Sequence, residues 1–104
     1  MKIMFLNCWQ ELYPEEGPEL TCVFLDNIAE VKKKKCYTET ELWEKSLIDC
    51  YVYNGQHVSA SIGYLSAGKP VTEEEYKPLL NELYFIGYGK DELEVCHDEF
   101  KNYL

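Results

Sequence analysis

The segment Asp49-Cys50-Tyr51-Val52-Tyr53-Asn54-Gly55-Gln56-His57-Val58-Ser59-Ala60-Ser61-Ile62 carries the clearest local signal in the 104-residue chain. Strand-forming residues flank Asn54-Gly55, a pair that accepts two successive positive φ angles and closes a two-residue type I′ hairpin. Such a turn sets Tyr53 opposite Gln56, Val52 opposite His57, Tyr51 opposite Val58 and Cys50 opposite Ser59. One face then holds Tyr51, Tyr53, Val58, Ala60 and Ile62, the expected core side. The other holds Cys50, Val52, His57, Ser59 and Ser61.

Upstream of the hairpin, Thr38-Glu39-Thr40-Glu41 is a capping box that opens a short helix to about Ser46, with Leu42 and Trp43 as its apolar contacts. Before it, residues 2–8, 20–25 and 28–37 read as three strands of an antiparallel meander, with a loop at 9–19 and a turn at Asp26-Asn27. Downstream, residues 66–70 read as a loop. Thr72-Glu73-Glu74-Glu75 is a second capping box, and Tyr76, Leu79, Leu80, Leu83 and Ile86 share one helical face that Gly87 terminates. Residues 92–97 alternate as a last strand, and 98–104 add one helical turn. The approximate order βββαββαβ predicts one α+β domain over residues 1–104. Its sheet is mostly antiparallel, with two helices packed on one face.

Charge narrows the partners. The chain has 19 acidic residues against 10 basic ones, all of them lysine, for a net charge of -9. That balance repels phosphate backbones, and without arginine there is no bidentate fork for phosphates or guanine edges, so direct nucleic-acid binding is not expected. The acidity sits at the two ends: -5 over residues 1–31, +2 over 32–70 and -6 over 71–104. The basic middle includes the lysine run 32–35, which reads as an edge strand guarded against aggregation.

No window reaches the roughly 18 apolar residues of a membrane span. The opening Met1-Lys2-Ile3-Met4-Phe5-Leu6 imitates a secretory leader, but its apolar run is short and leads into Glu11 without a small-residue cleavage site. Five cysteines, an odd number with no CxxC pair, point to reduced thiols in a cytoplasm rather than to disulfides or a zinc knuckle. The glycines form neither GxGxxG nor a P-loop, so no cofactor is expected.

Two groupings carry potential chemistry. Cys50, His57 and Ser59 share the expected polar hairpin face, but thiol catalysis needs a base within hydrogen-bond reach, and side chains two residues apart along a face are roughly 7 Å apart. Cys96 and His97, adjacent on a strand, point to opposite faces. No catalytic residue or metal ligand is assigned from them.

The positive candidate is the acidic loop, where Trp9 and Tyr13 are interleaved with Glu11, Glu15, Glu16 and Glu19. Aromatics give rigid anchor area, and carboxylates steer and pair with lysine or arginine on a partner. Glu73, Glu74 and Glu75 rank second, since capping already explains them. The expectation is a small acidic cytoplasmic protein-binding module, of inhibitor or immunity type, docking on a basic partner such as a nucleic-acid enzyme. In size and charge the chain resembles toxin-immunity proteins and phage-type inhibitors, a likeness of class with no shared motif behind it. Two other classes stay open: a small enzyme using the Cys50–His57 face or a carboxylate pair, and a subunit or homodimer that completes its sheet through an edge strand.

Overall fold

Ile3-Met4-Phe5-Leu6 contains no polar residue to turn toward water, and all four side chains are buried. A strand of this kind needs cover on both faces, and the rest of the chain supplies it. The computed structural model describes residues 1–8, 20–33, 38–52 and 56–104. Strands β1 (Lys2–Asn7), β2 (Leu20–Phe24), β3 (Ile48–Val52), β4 (Gln56–Ala60), β5 (Lys69–Pro70) and β6 (Glu94–Val95) form one sheet. Its order is β4-β3-β2-β1-β5, antiparallel throughout, with β6 added parallel to the start of β1. The helices are α1 (Asp26–Lys32), α2 (Glu39–Lys45), α3 (Ile62–Ser66) and α4 (Glu73–Phe85), followed by a 3₁₀ turn at Phe100–Tyr103.

Alternation along β1 and β2 divides the interior in two. Met4, Leu6 and Val23 point to a cluster closed by Ile28 and Val31 of α1, Ile62 and Leu65 of α3, and Phe100. Ile3, Phe5, Cys22 and Phe24 point the other way, onto Tyr76, Leu79 and Leu83 of α4. Phe5 stacks on Tyr76 with ring centroids 4.5 Å apart. The Tyr51 hydroxyl donates to Glu82 at 2.8 Å and ties α4 to β3.

The single α+β domain with a mostly antiparallel sheet is as expected, but several details differ, among them that Ile62 and the expected loop 66–70 fall in α3 and β5. The stretch expected as a third strand, 28–37, begins instead inside α1. Ile28 and Val31 are buried three residues apart, the helical spacing, with Asp26 in the first turn and Lys32 in the last. The partner of β2 is therefore β3. Four helices cover both faces of the sheet rather than two covering one. The lysine run does not guard an edge strand at its start: Lys32 ends α1, and its ammonium donates to the Leu104 carbonyl. The hairpin register is shifted by one. Val52 pairs with Gln56, Tyr51 with His57, Cys50 with Val58 and Asp49 with Ser59. Three residues, 53–55, connect the strands where two were expected, and they lie outside the described residues.

Both N-caps hold, and the one at Thr72 forms the full capping box. Thr38 accepts from the Glu41 N–H at 3.1 Å. Thr72 accepts from Glu75 N–H at 3.4 Å while Glu75 accepts from Thr72 N–H at 3.3 Å. Gly87 closes α4 as a Schellman motif: its N–H donates to Tyr84 and the Tyr88 N–H to Leu83. Ile86, expected on the buried stripe, is the C-cap and is exposed beside Phe85.

The φ of Gly87 is +124°, which only glycine adopts without strain, and a Cβ there would meet no atom within 4 Å. Gly87→Ala should thus cost about 1–2 kcal/mol through backbone strain alone. Urea unfolding measures it; an unchanged midpoint would contradict the motif.

Candidate functional site

The shifted register decides which hairpin residues can act together. Paired residues share a face, so Cys50 lies with Val58 and Ala60 against the α1–α3 side, while His57 turns to the α4 side. Its ring sits edge-on to Tyr51 at 4.9 Å and near Phe24 at 6.3 Å. Cys50, His57 and Ser59 are therefore not on one face, and the expected polar grouping is dissolved. The Cys50 thiol donates to the Ile48 carbonyl at 3.4 Å. Burial, with smaller contributions from Cys8 and Asp49, pushes its pKa up to about 12. Burial alone pushes Cys8 up to about 12, and burial followed by the neighbouring Cys50 raises Cys22. Protonated, enclosed thiols are poor nucleophiles.

Cys96 and His97 diverge as expected. Cys96 packs on the α1–α3 side, and the His97 ring lies 6.0 Å from that of Tyr76. Among the described residues no group of three or more His, Cys, Asp or Glu is placed to hold a metal ion.

What the fold does assemble is a groove of about 840 Å³ at the end of the sheet, where β2 gives way to α1 and β3 begins. Asp26, Glu30 and Asp49 line it with His57 and Tyr88. Chain geometry puts them there. The β2–α1 junction carries Asp26 and Glu30, and the Asp49 N–H donates to Asn27 Oδ1 at 2.8 Å, which fixes the start of β3 against α1. The Schellman turn after α4 swings Tyr88 back over the sheet, where its hydroxyl lies 3.2 Å from His57 Nε2 and its ring 5.8 Å from that of Phe24. Burial first, then nearby Cys22, Asp49 and Glu92, raises the Tyr88 pKa, so the phenol stays neutral. The groove thus presents three carboxylates beside an aromatic wall.

Comparison with protein-family models, with curated proteins and with solved structures gives no match. The site therefore stands on its own chemistry.

The loop residues expected to bind a partner, Trp9, Glu11, Tyr13, Glu15, Glu16 and Glu19, all lie outside the described residues. Glu73, Glu74 and Glu75 form the exposed first turn of α4, with Glu75 engaged in its cap. Sequence reasoning missed Asp26, Glu30 and Asp49 because it assigns them to three elements, the turn at Asp26-Asn27, the strand 28–37 and the hairpin. Recognising α1 would have brought two of them together, since Asp26 and Glu30 are four residues apart on one helical face. No helix among the described residues is long and apolar enough to cross a membrane.

Two measurements test the thiol chemistry. Iodoacetamide at pH 8 should leave Cys8, Cys22 and Cys50 unmodified in the folded protein and label them on unfolding; rapid native labelling of Cys50 would contradict their enclosure. The raised thiol pKa values also set a pH window. Folded thiols hold their protons to higher pH than unfolded ones, so this stabilisation is complete below the ordinary value of 9.0 and is lost as pH climbs toward 12. Between pH 9 and 11 each buried thiol should cost about 1.4 kcal/mol per pH unit. Urea midpoints that are equal at pH 8 and pH 10.5 would contradict this.

Proposed function

We infer that the chain is a protein-binding module that docks on a basic partner, and that the groove at the end of the sheet is where the partner's lysine or arginine side chains enter. The supporting observation is the placement of Asp26, Glu30 and Asp49 around one concavity that also offers the rings of His57 and Tyr88. Carboxylates on a rim speed encounter and select for cations, while aromatic rings supply contact area and a face for a guanidinium or ammonium. The net charge of -9 extends the same attraction over the whole surface. An inhibitor that occupies a basic active site, such as that of a nucleic-acid enzyme, fits this chemistry.

The enzyme reading has less behind it. Three thiols are protonated and enclosed; on the face of His57 lie the enclosed Cys22, one strand beyond Tyr51, and Ser59, two residues along β4.

Combining Asp26→Asn, Glu30→Gln and Asp49→Asn tests the reading. Affinity for a basic protein or an oligolysine probe should fall about ten- to a hundredfold, from roughly 0.5–1 kcal/mol per exposed charge pair. Wild-type affinity should drop steeply between 50 mM and 300 mM salt, and the variant's much less. Unchanged affinity in a variant that melts like the wild type would place the site elsewhere, with Glu15, Glu16 and Glu19 the next residues to neutralise.

A further inference from the structure

The two borders of the sheet are built differently. On one side β1 is met by β5 and β6, each two residues long, carrying Lys69, Pro70 and Glu94. Short strands, proline and charge are the means by which proteins keep an edge from pairing with another chain. On the other side β4 runs five residues, Gln56-His57-Val58-Ser59-Ala60, with no charge and no proline. Among the described residues it pairs only with β3, and Gln56, His57 and Ser59 are exposed. This border lacks every one of those guards.

The surroundings of β4 suit a particular occupant. A second groove, of about 430 Å³, lies along β4 toward α2, where Leu47, Val52, Ala60 and Tyr64 line it together with the charged Glu44 and Lys45. Leu47, 61% exposed, stands unburied on its lip. His57 lines only the acidic groove and Ala60 only this second one, while Val58 and Ser59 line both. The second groove lies on the α1–α3 face, while the first opens to the α4 face at Asp49, His57 and Tyr88 and reaches α1 at Asp26 and Glu30, so β4 runs between the two. An added strand sends alternate side chains to opposite faces of the sheet. Main-chain hydrogen bonds would hold it, and the two grooves would read its side chains in turn.

We propose that the partner contributes an extended segment that pairs with β4 as a further strand, alternating basic residues, which enter the acidic groove from the face of Asp49 and His57, with apolar residues, which lie beside Val58 and Ala60 toward Leu47 on the other face. The proposal rests on the reading of this chain as a docking module for a basic protein and specifies how the docking is done. Charge selects this occupant over a second copy of the chain. Two molecules of net charge -9 repel, and β4 paired with itself would set two acidic grooves against each other.

Three capped pentapeptides test it, with affinity measured by calorimetry and with hydrogen exchange at the amides of residues 56–60. Lys-Val-Lys-Val-Lys should bind and slow exchange in β4. The same composition as Lys-Lys-Lys-Val-Val should bind about tenfold more weakly, because its side chains no longer match the two grooves. Lys-Val-Lys-Val-Lys methylated on alternate backbone nitrogens should lose about tenfold or more, since the strand bonds cannot form. Equal binding of all three, without protection of β4, would overturn strand addition and leave the acidic docking site standing. Failure of all three to bind would overturn both. A dimer in light scattering, with β4 protected in the absence of peptide, would overturn the proposal in favour of self-pairing.

Discussion

Burial of β1 and β2 on both faces is the constraint on which the rest depends. Once Ile3 and Phe5 must be covered on one side and Met4 and Leu6 on the other, one helical layer cannot suffice. A chain of 104 residues then has to divide its helices: among the described residues α4 covers one face and α1 to α3 with the 3₁₀ turn the other. Fully burying each large apolar side chain contributes roughly 1.5–3 kcal/mol, so no arrangement that exposes one face of this pair competes. The location of the groove follows. Where β2 ends, the chain turns straight into α1 to cover the first face, and the turn after α4 brings Tyr88 from the second.

Much of this fold was legible in the sequence, and the failures have physical causes. The N-caps at Thr38 and Thr72, the stripe Tyr76–Leu79–Leu83 and the terminating Gly87 are local devices, and local devices read well. The continuous apolar run 3–6 signals two-sided burial, which the expectation of helices on one face does not take up. Helix α1 was missed because it has no side-chain cap of the usual kind. Its N-cap is Leu25, and the Asp26 carboxylate accepts from the main-chain N–H of Lys2, a residue 24 positions away. A tertiary contact starts this helix, and periodicity alone cannot separate a seven-residue helix with two buried side chains from a strand.

The hairpin shows how a small local error propagates to chemistry. A one-residue shift in register moves every side chain of a strand to the opposite face. It takes Cys50 into the core and turns His57 toward Tyr51 and Tyr88, which removes one apparent site and contributes to another. The carboxylates of the groove were invisible for a different reason. They are brought together by the β2–α1 junction and by the Asn27–Asp49 hydrogen bond, and neither has a sequence signature.

Mapping amide chemical shifts while a lysine-rich peptide is titrated into the labelled protein addresses the central claim most directly. The account predicts that the largest changes cluster at residues 24–30, at Asp49, at 57–59 and at Tyr88, and that they vanish at high salt. Shifts spread evenly over the acidic surface, or confined to residues distant from that groove, would contradict it.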